Sequence, residues 1–212
     1  MGPIRTGLFY GALAAVVAFV AELYFLFLDP SEVAGWVLAV IGSYRTRLLL
    51  AVFLFLGILA ALGMRPVRLD PDASYRSLLL RDGALAATVV ALVVGVVLAF
   101  TTLLQATVLA DDMRAYARES APKVVSYVNG VRDEIQQRRR EEGQSPEEVN
   151  DVPPPAELAE VEESFGPPAP RDLGRSLANF VLRAILLGTV GGLVGLLRGR
   201  SKTGPDASSG PG

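Results

Sequence analysis

The sequence contains no cysteine and no histidine. Without cysteine there are no disulfides, thiol nucleophiles or thiolate metal sites. Without histidine the commonest general base and metal ligand is missing as well. No Gly-x-Gly-x-x-Gly loop, Walker lysine loop or His-Glu-x-x-His helix occurs in the chain, so no nucleotide, metal or other cofactor is expected. The acidic runs "EEGQSPEE" and "AELAEVEES" lack the Asp-x-Asp-x-Asp-Gly spacing of a calcium loop and read as solvated helix faces. "QRRREE" is flanked by acids, a surface charge pattern rather than a nucleic-acid contact. These absences argue against an enzyme and against a nucleic-acid partner.

What the chain has in quantity is apolar sequence. Of its 212 residues 51% are hydrophobic, gathered into runs long enough to matter. Crossing a hydrocarbon core of roughly 30 Å takes about 20 apolar residues in a helix. Four segments qualify: Gly7–Leu28, Leu48–Met64, Gly83–Leu109 and Ser176–Leu197. Lipid offers no partner to a free N–H or C=O, so each must bond internally as a helix. The expected fold is all-α: a four-helix transmembrane bundle with a small helical extracytoplasmic insert between spans three and four. The first run follows a lone Arg5, as a signal peptide would, but it is too long and "YFLFLDPSE" offers no small-x-small cleavage site. It reads as an uncleaved span.

Short-loop Lys and Arg set orientation. Arg65, Arg68, Arg76 and Arg81 lie between spans two and three; Arg198, Arg200 and Lys202 follow span four; Arg5 precedes span one. With four spans these eight residues share one side, the cytoplasm, against only Arg45 and Arg47 in the first loop. A bacterial inner or plasma membrane location with both termini cytoplasmic follows. The tail 199–212, "TGPDASSGPG" at its end, is disordered by composition. In the first loop, "VAGWVLAVIGSY" at 33–44 is too short to span; it reads as an interfacial helix, with a re-entrant loop or an early start to span two as alternatives. Trp36 and Tyr44 suit the headgroup level.

The insert, Asp111–Gly174, holds fifteen acidic and eight basic residues. Val124, Val128, Val131 and Ile135 form an apolar stripe at helical spacing, expected to pack on a short helix nearby or on Trp36 and its neighbours. Pro122 either begins a helix or kinks one running out of span three. Ser145, Pro146 and Glu148 form a capping-box start, and a proline-bounded short helix ends near Gly166.

Spans associate through close backbone approach and polar contacts rather than hydrophobicity. Span three has Gly83, Ala87, Ala91, Gly95 and Ala99 at every fourth position, span four has Gly188, Gly192 and Gly195, and span one has Gly7, Gly11 and Ala15. Span three should therefore sit centrally or dimerise. Two charges fall within spans, Glu22 and Arg183, where they are costly and usually face a partner or cavity. Glu22 lies six residues, about 9 Å, inside Leu28; Arg183 lies seven residues, about 10 Å, inside Ser176. Gln105, Thr101 and Thr102 share that depth, and Asn179 lies one turn outward, giving a candidate intramembrane polar cluster. Three readings stay open: snorkelling to the headgroups, a Glu22–Arg183 pair that serves assembly, and a polar path for an ion or ligand.

"YRSLLLRDGALAATVVALVVGVVLAF" at the start of span three, "GQSPEEVND" in the insert and "FGPPAPRDLGRSLANFVLRAILLGTVGGLVGLLRGR" at the end resemble a bacterial family of small four-span membrane proteins that carries only the description of a domain of unknown function. Its Gly-x-Ser-x-Glu-Glu turn corresponds to Gly143, Ser145, Glu147 and Glu148. The resemblance implies a fold and a membrane location, and no activity or site residues. The leading expectation is a non-enzymatic accessory, assembly or structural subunit, with the lipid bilayer and a second copy or another membrane subunit as partners. A small transporter or channel passing Glu22, Gln105 and Arg183 is the alternative.

Overall fold

The computed structural model describes residues 1–67 and 74–200, and every regular element among them is helical. In order these are α1 (Pro3–Glu22), a 3-10 turn (Tyr24–Leu26), α2 (Gly35–Gly63), α3 (Tyr75–Thr107), α4 (Ala110–Glu141), α5 (Pro146–Asn150), α6 (Leu158–Phe165) and α7 (Pro170–Arg200). Among the described residues four helices are long and apolar enough to cross a bilayer: Pro3–Glu22, Gly35–Gly63, Tyr75–Thr107 and Ala178–Gly199. The chain is accordingly an all-α, multi-pass membrane protein whose apolar faces meet lipid. Of the tail 199–212 expected to be disordered, Gly199 and Arg200 are the helical end of α7, while 201 onward, like Arg68, lies outside the described residues.

Helix boundaries depart from the hydropathy runs for local reasons. The first run was expected to reach Leu28, yet α1 stops at Glu22 and the chain turns through Tyr24–Leu26, because Phe25 is drawn into an aromatic cluster with Tyr24 and Tyr116. The 33–44 stretch is neither a separate interfacial helix nor a re-entrant loop: it is continuous with the second span as α2. No proline interrupts it, and Arg45 and Arg47 are good helix formers, so nothing stops propagation. Its 29 residues extend about 44 Å, beyond the hydrocarbon core. Trp36, Val40 and Tyr44, four residues apart, are all exposed, an outward row suited to the interface. α3 begins at Tyr75 rather than Gly83, since "RSLLLRD" has helical propensity despite its charge.

The chain divides into two compact units. One, the bundle unit, comprises Met1–Glu22, Leu48–Thr101 and Arg171–Gly212; the other, the α4 unit, comprises Leu23–Arg47 and Thr102–Pro170. The first loop thus belongs with the insert sequence.

In the bundle unit, buried Ala14, Ala18, Phe53, Ala60, Met64, Leu79, Ala86, Val90 and Leu187 form one core. A methyl group on Gly7 would lie 2.6 Å from the Ala86 carbonyl oxygen, and one on Gly11 3.3 Å from the Val90 Cα, so α1 rests directly on the α3 backbone. Leu187 of α7 packs beside Gly57 of α2.

In the α4 unit, Met113, Tyr116, Ala117, Ser120, Ala121 and Val124 are the buried face of α4. They meet Leu38 of α2 and Phe165 of α6, with Val128 and Val161 at the margin. The apolar stripe therefore starts eleven residues before Val124, at Met113, and fades before Ile135, which is 42% exposed. Pro122 is inside α4; its missing N–H frees the Arg118 carbonyl, on an exposed side where water can take it. Side chains reach for main-chain carbonyls throughout. Lys123 Nζ donates to the Pro30 and Ser31 oxygens at 2.5 and 2.8 Å. Asn129 exchanges two bonds with Ala156, donating to its oxygen at 3.2 Å and accepting from its N–H at 2.8 Å. Arg132 donates to Pro153 O, and Arg139 to Glu148 O and Asp151 O. Ser145 caps α5 with the full reciprocal box, and Pro146 occupies its first turn.

Candidate functional site

The six predicted polar residues divide between the two units. Glu22, Thr101, Asn179 and Arg183 belong to the bundle unit, whereas Thr102 and Gln105 belong to the α4 unit. Glu22 is the last residue of α1, so the helix ends at this charge rather than carrying it six residues deep. Arg183 is half-buried and Asn179 exposed. Among the described residues no ion pair or hydrogen bond joins Glu22 to Arg183. Thr101 is fully buried and returns its hydroxyl hydrogen to the Val97 carbonyl at 2.8 Å, a bond within its own helix that spares it an outside partner. Gln105 is 6% exposed.

The small-residue positions fall at the α3–α7 contact, with two adjustments. Gly83, Ala87, Ala91 and Gly95 are buried, while Ala99 is exposed. A step of four residues advances 400°, so the row drifts about 40° per step and has turned some 160° by its fifth member. Five positions at one spacing do not share one face. On α7 Gly191, which the predicted set of Gly188, Gly192 and Gly195 leaves out, also approaches α3 closely. A methyl there would strike the Ala87 methyl and come within 2.6 Å of the Gly83 oxygen. Gly195 lies equally hard against the Leu79 carbonyl, and the Phe180 ring occupies the space a side chain on Gly95 would need. Gly192 meets Leu80 and the Ala84 methyl less closely, and Gly188 the Thr88 hydroxyl. The signal for Gly191 was present as the pair Gly191–Gly195, four apart.

Asp82 was also missed, because it sits just before the apolar run and reads as loop. It is 1% exposed. Its carboxylate accepts the Val67 N–H and the Arg81 Nε–H, both at 2.7 Å, and Arg81 returns a bond to the Val67 oxygen at 2.7 Å. Nearby main-chain groups are closed similarly. Arg198 of α7 donates to the Leu62 and Met64 oxygens at 2.7 and 2.9 Å, and Arg65 N–H donates to Met1 O at 2.8 Å. Arg198 thereby supplies a partner for carbonyls that the end of α2 leaves open.

In the α4 unit the Tyr116 ring packs edge-on to Tyr24 at 5.5 Å and against Phe165 at 6.2 Å, and the Arg45 guanidinium sits 4.8 Å over Tyr24. Among the described residues the buried Tyr116 hydroxyl and the Ser120 hydroxyl one turn on have no partner at hydrogen-bond distance, Ser120 being the polar group that acts on Tyr116. Burial raises the Tyr116 phenol above its ordinary pKa, because the charged form loses its hydration. At α5 the Ser145 amide and hydroxyl, both donating to Glu148, hold that carboxyl below the usual range. Asp29, bonded by Ser31, is lowered likewise. The arrangement in both units braces backbone. No family model matches the chain, and no similar curated protein or solved structure was found.

Proposed function

We propose that the chain is a non-enzymatic accessory or assembly subunit of a bacterial plasma membrane, with both termini cytoplasmic and 111–174 exposed outside. Membership in the four-span family that the sequence resembles is part of this reading. The observation that supports it best is the bracing of α4: Lys123, Asn129, Arg132 and Arg139 all spend their polar groups on main-chain carbonyls of the segments around them. That use of charge builds a stiff presenting surface, as a docking or assembly role requires, rather than a set of reactive groups turned toward a substrate.

Two measurements test it. A single cysteine placed at Gly130, which has open space around it, and another in the 201–212 tail should differ in reaction with a membrane-impermeant maleimide on intact cells. The first should label and the second should not, and the reverse pattern overturns the orientation. Native mass analysis of membrane extracts should show the chain in an assembly larger than its monomer. The Asn129→Ala, Arg132→Ala double variant should lose that assembly. A lone monomer in both samples would sink the subunit reading.

A further inference from the structure

A groove of about 710 Å³ runs between α3 and α7 within the bundle unit, walled by Leu80, Ala84, Thr88 and Leu92 on one side and by Val181, Ile185 and Leu193 among others opposite. It is almost wholly apolar, and it is open laterally. The α3 wall advances in fourth-residue steps, and Leu80 to Leu92 covers about 18 Å. That is close to one leaflet of a hydrocarbon core roughly 30 Å thick. One turn before Leu80 on α3 is Arg76, which is exposed. Its Cγ lies 3.5 Å from where a methyl on Gly199 would stand, which sets this basic residue against α7 at the end of the helix pair nearest Leu80. The small residues Ala84, Gly188 and Gly192 keep the floor low enough for a methylene chain to lie along it.

We propose that this groove holds an acyl chain of an anionic phospholipid whose phosphate pairs with Arg76. An open apolar channel on a membrane-spanning helix pair is filled by lipid tails, because no water is there to fill it. The charge at that end of the helix pair sets the headgroup, since guanidinium pairs phosphate in a two-pronged fashion and a net negative lipid is favoured near a basic residue.

The test uses the full chain in mild detergent with phosphatidylglycerol, phosphatidylcholine or inorganic phosphate added, read by lipid adducts in native mass spectrometry and by the thermal midpoint. Phosphatidylglycerol should bind about fivefold more tightly than phosphatidylcholine, the preference one basic residue at a lipid surface confers. Inorganic phosphate alone should shift nothing. Arg76→Gln, an exposed change that leaves packing alone, should abolish the headgroup preference and keep chain binding. Ala84→Phe should fill the floor and remove adducts of both lipids while far-ultraviolet dichroism stays helical. Equal binding of the two lipids, a preference that survives Arg76→Gln, or a midpoint raised by phosphate alone would overturn the proposal. So would an Ala84→Phe protein that keeps its adducts, or one that loses only a dimer.

Discussion

The bundle unit and the α4 unit are both helical, yet opposite kinds of residue hold them together. In the bundle unit α3 and α7 approach so closely that Gly191 and Gly195 touch carbonyls and a methyl of the facing helix. In the α4 unit the contacts are made by long side chains, with aromatic rings in the core and Lys123, Asn129 and Arg132 reaching to carbonyls. The contrast follows from the surroundings. Lipid tails give no hydrophobic drive between helices, so shape complementarity and dispersion must do the work, and small residues maximise both. Water drives the burial of large apolar side chains, so there bulk is favoured.

Substitutions that exchange the two strategies should expose this difference. Gly191→Leu should cost the bundle unit about 3 kcal/mol by overpacking against Ala87 and Gly83, seen as an earlier unfolding midpoint in a sodium dodecyl sulfate titration. Gly130→Ala on α4, where nothing lies within 4 Å, should instead stabilise by about 0.5–1 kcal/mol through helix propensity. Asp82→Ala should cost about 2–3 kcal/mol, because the Val67 N–H loses its acceptor and Arg81 the partner that buried Asp82 gives it. The same titration checks it.

Lys123→Met keeps the stem and removes the charge; the α4 unit should lose about 1–2 kcal/mol as the Pro30 and Ser31 carbonyls go unserved. Urea unfolding followed at Trp36, the only tryptophan, reads this change. Tyr116→Phe should be neutral or stabilising by up to about 1 kcal/mol, since the hydroxyl it deletes has no partner at hydrogen-bond distance among the described residues and burying it costs free energy. If Tyr116→Phe is instead strongly destabilising, that core relies on polar bonds after all. The smallest effect is local. The lowered Glu148 pKa means the capping box contributes fully above the ordinary carboxylate range and fades as pH falls through the lowered value. The Ser145 and Glu148 amide resonances should report that titration, while the bundle unit is unmoved.

The four spans could be read from hydropathy because bilayer thickness dictates their length. The box at Ser145 and the end at Gly166 could be read because capping chemistry is local. What could not be read depended on rotation about a helix axis or on distant sequence. Equal depth suggested Glu22 beside Arg183, yet depth is one coordinate of three, and among the described residues no bond joins them. The row ending in Ala99 failed for the same reason, since it turns away by its own drift. The first loop's place with the insert hangs on Lys123 reaching a carbonyl 93 positions away, which no window on the sequence can see. Asp82 was hidden by its position, one residue before an apolar run, where a charge is ordinarily assumed to be wet.

Arg198 also sets an order of events. The Leu62 and Met64 carbonyls that it closes are made 136 and 134 residues earlier. At a synthesis rate of roughly 5–20 residues per second, the end of α2 waits on the order of ten seconds for that arginine to emerge. Throughout that interval the end of nascent α2 exposes acceptors that Arg198 later takes over from water. The α4 unit, whose final residue is Pro170, has its whole sequence translated before Arg198 appears. Biogenesis is therefore expected to finish in the membrane, and a ribosome stalled before Arg198 should leave the bundle unit open to proteolysis.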